Sequence, residues 1–235
     1  MRKPVIGILA GMGPRSTTPF LEMVLDECQG QYGASFDIDY PKMVVVSLPT
    51  PFYPGQPLNH REMEDAILAG LVDLAATGVD FIAMPCNTAH LYYEKLRQSI
   101  NIPLLNIVEE TIRSIPAVCK RPALLATGAT VQSGIYQKGL KLAGKSALWC
   151  EEWQSSIDRL LGSIKQAGDT KVDEAEMACL LEMAAKGGAD AALIACTDLT
   201  SVVLRCNTAL PIIDSAQCLA RATVKTYLEC LKEQL

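Results

Sequence analysis

Several features that mark particular classes of protein are scarce in this sequence of 235 residues. It has two histidines, His60 and His90, and they form no HxxxH pair, so a bound metal has little support. No apolar run reaches the roughly 18 residues that a membrane-spanning helix needs. Lysine and arginine are scattered, and the net charge is −5. We therefore expect neither nucleic acid nor a membrane as a partner.

The cysteines lack the arrangement of a structural framework. The nine cysteines are an odd number, are dispersed along the chain and include no CxxC pair. This distribution excludes a regular disulfide framework or a zinc ribbon and indicates a reducing compartment. The opening segment, MRKPVIGILAGMGP, has neither the long apolar region nor the small-residue cleavage site of a signal peptide. We expect a cytoplasmic protein.

Short apolar runs alternate with helical patterns from end to end, which is typical of mainly parallel sheets with crossover helices. Strands are predicted at residues 5–10, 43–48, 80–85, 103–107, 123–127, 146–150, 192–196 and 210–214. Helices are predicted over 60–77, with an apolar stripe at Met63, Ile67, Leu71 and Leu74, and over about 215–231. The sequence therefore predicts an α/β protein of two similar parallel-sheet domains. We expect residues 1–116 plus 215–235 to form one domain and residues 117–214 the other.

One segment occurs twice. TGVDFIAMPCNTAH, residues 77–90, returns 110 residues later as GGADAALIACTDLT, residues 187–200, with three identities in register: Gly78 with Gly188, Asp80 with Asp190, and Cys86 with Cys196. Each copy reads as a buried strand that ends on a cysteine and continues into small polar residues. Because ligands of open α/β sheets bind at the carboxyl ends of strands, duplication predicts one site with two facing thiols between the halves.

Two thiols on opposite faces of a carbon can move a proton across it without a cofactor. One thiolate removes the proton and the other thiol returns one from the far side. Free amides at the start of the following helices are expected to lower the pKa of the thiols and to seat a carboxylate. Donors for that carboxylate are available at four strand ends: Gly11 to Gly13, Asn87 and Thr88, residues 127–130, and Thr197.

The glycine turn AGMGPRST, residues 10–17, does not match a nucleotide site. It lacks the third glycine of a dinucleotide fingerprint, and no acidic residue closes the next strand. We therefore expect no cofactor. The segments GMGPRST, PCNTAH, ATGAT and ACTDLT, in this order, resemble the aspartate/glutamate racemase superfamily, and the GMGP opening is more similar to its aspartate racemase branch than to the glutamate or hydantoin racemases.

The resemblance implies a cofactor-independent amino-acid racemase of two α/β domains with the site in the cleft, often a homodimer. Cys86 and Cys196 would be the catalytic acids and bases. The positions that would bind the substrate are Met12, Gly13, Asn87, Thr88, Thr130, Lys165, Thr197 and Asp198.

The chain departs from the family pattern at two places. The proline-rich loop PTPFYPGQPLNH, residues 49–60, lacks the arginine that grips a side-chain carboxylate in the aspartate racemases; Arg15, Arg61 or Lys165 can replace it, and Lys171 competes with Lys165. Asp198 stands where the family has glutamate. The preferred amino acid therefore stays open, as do maleate isomerisation, arylmalonate-type decarboxylation and non-catalytic binding of a small carboxylate. His90 is either a site residue or a structural one.

Overall fold

The computed structural model describes residues 2–53, 56–168 and 170–233, and within them two three-stranded parallel sheets carry the fold. The first sheet has the order β2-β1-β3, and the second has the order β4-β5-β6. The strands are β1 (Val5–Ala10), β2 (Lys42–Ser47), β3 (Phe81–Ala83), β4 (Pro122–Ala126), β5 (Ala191–Ala195) and β6 (Ile212–Asp214). The predicted α/β class with parallel sheets is confirmed.

Helices cover the faces of both sheets. They are α1 (Thr17–Tyr32), α2 (His60–Ala76), α3 (Tyr93–Gln98), α4 (Ile107–Ser114), α5 (Gly128–Ser133), α6 (Ile135–Leu142), α7 (Glu151–Ala167), α8 (Lys171–Lys186), α9 (Thr200–Val203) and α10 (Ser215–Glu233). Among the described residues, no helix is long and apolar enough to cross a membrane. The predicted stripe of α2 is buried, since Met63, Ile67, Leu71 and Leu74 are at most 4% exposed.

Two predicted strands are reduced to single bridges. In the segment 103–107 only Leu104 pairs, with Ile82 of β3, and in 146–150 only Leu148 pairs, with Ala123 of β4. The prediction of full strands there was wrong, because the chain turns into helix α4 at Ile107 and into α7 at Glu151. With these bridges included, the sheets read β2-β1-β3-Leu104 and Leu148-β4-β5-β6. The two halves therefore share one spatial order, as duplication requires.

The repeated glycine and aspartate are structural. Gly78 and Gly188 have positive φ angles of 81° and 85°, which allow the tight turn before β3 and β5. The Asp80 carboxylate accepts a 2.6 Å bond from the Val5 N–H at the start of β1. The Asp190 carboxylate accepts a 2.9 Å bond from the Arg121 N–H, which precedes β4. In each half the same carboxylate thus fixes the first strand beside the strand that carries the cysteine.

The last helix returns to the first half of the chain. Helix α10 packs mainly against α1 and α4, and it also contacts β1 of the first sheet and β5 and β6 of the second. Its Tyr227 is buried in a core cluster that also holds Ile8 of β1 and Leu193 of β5. The two sheets thus share apolar packing, and the carboxyl ends of β1, β2, β3, β4 and β5 meet around one cleft.

Candidate active site

A cavity of about 590 Å³ opens between the two halves at the carboxyl ends of the strands. Cys86 follows β3, Cys196 follows β5, and both line this cavity. Of the other residues singled out from the sequence, seven also line it: Met12, Gly13, Asn87, Thr88, Lys165, Thr197 and Asp198. The predicted convergence of the two repeat units on one cleft is what the structure shows. Thr130 is fully buried behind the lining.

Each cysteine is followed by a short 3-10 turn whose amides face its sulfur. The turn after Cys86 spans Thr88–Tyr92, and the turn after Cys196 spans Thr197–Leu199. Backbone N–H groups of Ala89 and Thr88 lower the pKa of the Cys86 thiol, and the N–H of Asp198 lowers the pKa of Cys196. Hydrogen bonds of this kind stabilise a thiolate.

Burial outweighs those amides. It is the largest cause at both thiols, and it raises the pKa of Cys86 to about 11 and that of Cys196 well above its usual range. The Asp198 carboxylate raises both pKa values, and the Lys165 ammonium lowers both. The expectation of lowered thiol pKa values was therefore wrong in its net direction, because the sequence does not reveal how deeply the sulfurs lie.

Lys165 and Asp198 form an ion pair at the cavity wall. Lys165 Nζ donates to Asp198 Oδ2 at 2.6 Å, and the two side chains are 22% and 6% exposed. The ammonium also lies 5.1 Å from the centre of the Phe52 ring, which comes from the proline-rich loop. Gly13 packs directly against the carboxylate: a Cβ atom there would lie 2.0 Å from Asp198 Oδ1. The second repeat unit is thereby locked to the turn after β1.

Asn87 is held by a buried network that joins distant parts of the chain. Its Nδ2 donates to Ser215 Oγ at 2.9 Å, and its Oδ1 accepts a 2.5 Å bond from the Tyr136 hydroxyl. Tyr136 is fully buried on α6, and Ser215 begins α10. These bonds orient the amide and leave its second N–H available as a donor. Neither Tyr136 nor Ser215 was predicted, because no local sequence pattern brings them to Asn87.

Three threonine hydroxyls form a second network. Thr88 Oγ1 lies 3.0 Å from Thr127 Oγ1 and 3.2 Å from Thr130 Oγ1, and the last two are 2.9 Å apart. Thr88 and Thr127 line the cavity, whereas Thr130 does not. Thr130 thus positions the hydroxyls of Thr88 and Thr127 and does not itself reach the cavity. Across the cavity, Thr197 Oγ1 donates to Pro85 O at 3.1 Å and lies 3.3 Å from Ser16 Oγ.

His90 has a structural position. The Ile107 N–H donates to its Nε2 at 3.1 Å, so Nδ1 carries the proton and donates to the Cys86 carbonyl at 2.8 Å. Burial lowers the pKa of this histidine, which favours the neutral ring that both bonds require. His90 therefore fixes the backbone of Cys86 to the start of α4, and of the two readings left open by the sequence the structural one applies.

The candidates for the missing arginine fall in different places. Arg15 lies at the rim, exposed, with its guanidinium against Gly168 at the end of α7. Arg61 is 93% exposed and pairs with Asp65. Lys165 lines the cavity, and Lys171 begins α8 outside its lining. Of the loop 49–60, Pro54 and Gly55 lie outside the described residues. In the described part of the chain, no three His, Cys, Asp or Glu side chains are grouped as a metal site needs.

The family model described as Asp/Glu/Hydantoin racemase matches residues 9–223. The chain belongs to this family, and it is an isomerase of the amino-acid racemase class. The broad-specificity amino-acid racemase RacX of Bacillus subtilis (strain 168) is 50% identical over 224 residues, which cover 95% of this chain and 98% of that relative.

Solved structures show the same fold. The aspartate racemase of Picrophilus torridus is 26% identical, covers 95% of this chain and 94% of its own, and superposes with a TM-score of 0.79. Glutamate racemase isoform RacE1 of Bacillus anthracis is 18% identical, covers 98% and 83%, and has a TM-score of 0.69. The family resemblance predicted from the sequence motifs is confirmed.

Proposed function

We propose that this protein racemises free amino acids by two-base proton transfer between Cys86 and Cys196, without a cofactor. The observation that carries the proposal is the arrival of both repeated strand-cysteine units at one cavity. The relative RacX is named for broad-specificity amino-acid racemisation, which supports an amino acid as the substrate.

In the proposed reaction one cysteine is a thiolate and the other a thiol. The thiolate takes the α-proton, the C–H electron pair moves into the α-carboxylate, and the other thiol gives its proton to the opposite face of the carbon. The free enzyme then holds the charge on the second sulfur and is ready for the opposite enantiomer. Because burial raises both thiol pKa values, the amides of Ala89 and Asp198 and the Lys165 ammonium have to stabilise the charge.

The other lining residues receive binding roles. The substrate carboxylate lies against the turn at Met12 and Gly13 and the hydroxyls of Thr88 and Thr197, with the second amide N–H of Asn87 as a further donor. Asp198 is available to the substrate ammonium, and Lys165 balances its charge at 2.6 Å. Thr130 positions the Thr88 hydroxyl from behind.

The experiment incubates enantiopure L-amino acids with the protein in deuterated water. The expected product is the D-isomer with deuterium at the α-carbon, detected by chiral chromatography and mass spectrometry. Cys86→Ala and Cys196→Ala should each lose racemisation, while the remaining thiol exchanges the α-hydrogen of a single enantiomer. Full racemase activity in either variant contradicts the two-base mechanism. Product analysis on maleate and arylmalonates tests the isomerase and decarboxylase alternatives.

The assembly and location of the protein are also proposals. The family resemblance supports a homodimer, which analytical ultracentrifugation tests. The packing of α10 on α1 and α4 supports a domain of residues 1–116 plus 215–235 beside one of 117–214. The dispersed cysteines, all free in the structure, support a cytoplasmic location.

A further inference from the structure

One side of the cavity is apolar. Five lining residues form this apolar wall, and they belong to a single packed cluster that Cys86 also joins: Met12, Leu48, Phe52, Met63 and Ile67. Met63 and Ile67 are 4% and 0% exposed, so the wall is the inner surface of the first half's core. A substrate α-carbon beside Cys86 therefore has the apolar wall next to it.

The apolar wall is rigidly built. Helix α2 approaches it through Gly70, where a Cβ atom would lie 2.7 Å from Leu48 Cδ1. Gly11, at a φ of 90°, brings the turn after β1 against the backbone of Leu48. The Leu48 N–H is bonded to Ala10 O at 2.9 Å. Leu48 is thus held by α2 on one side and by the turn after β1 on the other. Its side chain cannot leave the apolar wall without breaking these contacts.

The charges of the cavity lie elsewhere. Among the described lining residues the only charged side chains are Arg15, Lys165 and Asp198. Arg15 is exposed with its guanidinium at Gly168, and the Lys165 ammonium is bound by Asp198 at 2.6 Å. At the apolar wall itself a second carboxylate would be desolvated without a cationic partner, because Arg15 lies exposed at the rim and Lys165 is bound by Asp198. The apolar wall therefore disfavours an acidic side chain.

Resting on the proposed function, we infer that the apolar wall is the side-chain subsite and that it takes amino acids with uncharged aliphatic side chains, such as leucine and methionine, in preference to aspartate and glutamate. The hydrogen-bond donors of the cavity then bind the α-carboxylate of the substrate alone. The subsite then accepts substrate side chains of several shapes, because apolar contact is non-directional and imposes no single shape.

The test compares substrates of matched shape. Leucine and aspartate branch at the same carbon, and methionine and glutamate have similar length. We expect kcat/KM at least tenfold higher for leucine than for aspartate and for methionine than for glutamate, and calorimetric Kd values in the same order. Equal or higher kcat/KM for the acidic partner overturns the subsite. If no amino acid exchanges its α-hydrogen, the proposed function fails, and the Kd order still decides the subsite.

A charge placed in the apolar wall sharpens the test. Met63→Lys should reduce the methionine-to-glutamate ratio of kcat/KM at least tenfold, and Leu48→Lys is the second variant if the first does not fold by circular dichroism. Val72→Lys is the matched control, because it adds the same charge to α2 at a residue that is 44% exposed and outside the lining. A folded Met63→Lys or Leu48→Lys protein with the wild-type ratio contradicts the proposal.

Discussion

The contact between Gly13 and Asp198 makes a sharp prediction about Gly13→Ala. The added Cβ would lie 2.0 Å from Asp198 Oδ1 and 2.6 Å from both Cγ and Oδ2. Ordinary van der Waals contact begins at 3.4 Å, so the carboxylate must move by about 1.4 Å. The Asp198 side chain is 6% exposed and bound by Lys165 at 2.6 Å, so this movement disrupts a buried ion pair.

We expect two consequences of different size. Overpacking a buried contact costs about 1–3 kcal/mol of the free energy of unfolding. Displacing a group at the reacting centre by about 1 Å lowers the rate on the order of 10²-fold, so kcat/KM should fall by about that factor. Urea unfolding measures the first, and racemisation followed by circular dichroism of the substrate measures the second.

Two controls isolate the clash. Gly30 lies within α1, and a Cβ atom added there would have no atom of the described residues within 4 Å apart from its chain neighbours and the nearby backbone of its own helix, so Gly30→Ala should keep full activity and stabilise the protein by about 0.5–1 kcal/mol. In an Asp198→Ser background the clash with the carboxylate is absent, and Gly13→Ala should then cost less than it does in the wild-type background, although the backbone of residue 13, at φ 19° and ψ 117°, still disfavours a Cβ atom in both. Wild-type activity and stability of Gly13→Ala, or the same cost in both backgrounds, would refute the reasoning.

Three further predictions concern buried groups. Tyr136→Phe leaves Asn87 Oδ1 without its 2.5 Å donor, which should cost about 1–3 kcal/mol in urea unfolding and lower kcat/KM; unchanged kinetics would show that the Asn87 amide needs no orientation. Burial raises the pKa of Asp214 to about 6. The protonated carboxyl therefore stabilises the folded protein fully below the ordinary pKa of 3.8, and this stabilisation is lost as the pH rises through 6. When the free energy of unfolding is measured from pH 4 to 7, Asp214→Asn should gain roughly 2–3 kcal/mol relative to wild type, and parallel curves contradict this. Because the pKa of Cys86 is about 11, kcat/KM should rise with pH from 7 to 9, up to tenfold per unit, whereas a flat profile would show that thiolate formation does not limit the reaction.

Much of the fold was predictable because strand and helix periods are local properties of the sequence. The six strands and the helices α2 and α10 lie within a few residues of their predicted positions. The segments 103–107 and 146–150 have strand composition, but a single bridge at Leu104 and another at Leu148 is all that each forms. Whether an apolar run extends a sheet depends on how soon the following helix begins, and that is decided by tertiary packing.

The site was predictable where the repeat marked it. Cys86 and Cys196 could be located because each ends a strand in a duplicated segment, and strand ends of parallel sheets converge. The apolar wall could not be predicted, since Met63 and Ile67 read as ordinary core positions of an amphipathic helix. The bond from Tyr136 to Asn87 spans 49 residues and has no local signal. The net rise of the thiol pKa values depends on burial, which no spacing of residues encodes.

Asp198 makes the two copies of the repeat unequal, because it occupies the place that Thr88 has in the first copy. Burial and the Asp198 carboxylate raise the pKa of both thiols, but the pKa of Cys86 reaches only about 11 and that of Cys196 rises further, so Cys86 is the thiol that ionises more readily. The two enantiomers have equal free energy in water, and the ratio of the two kcat/KM values must therefore equal one whatever the thiols do. The asymmetry can appear only in kcat and KM taken separately. The enantiomer whose α-proton faces Cys86 meets the more populated thiolate, and Asp198→Asn, which removes the charge, should bring the two KM values closer together.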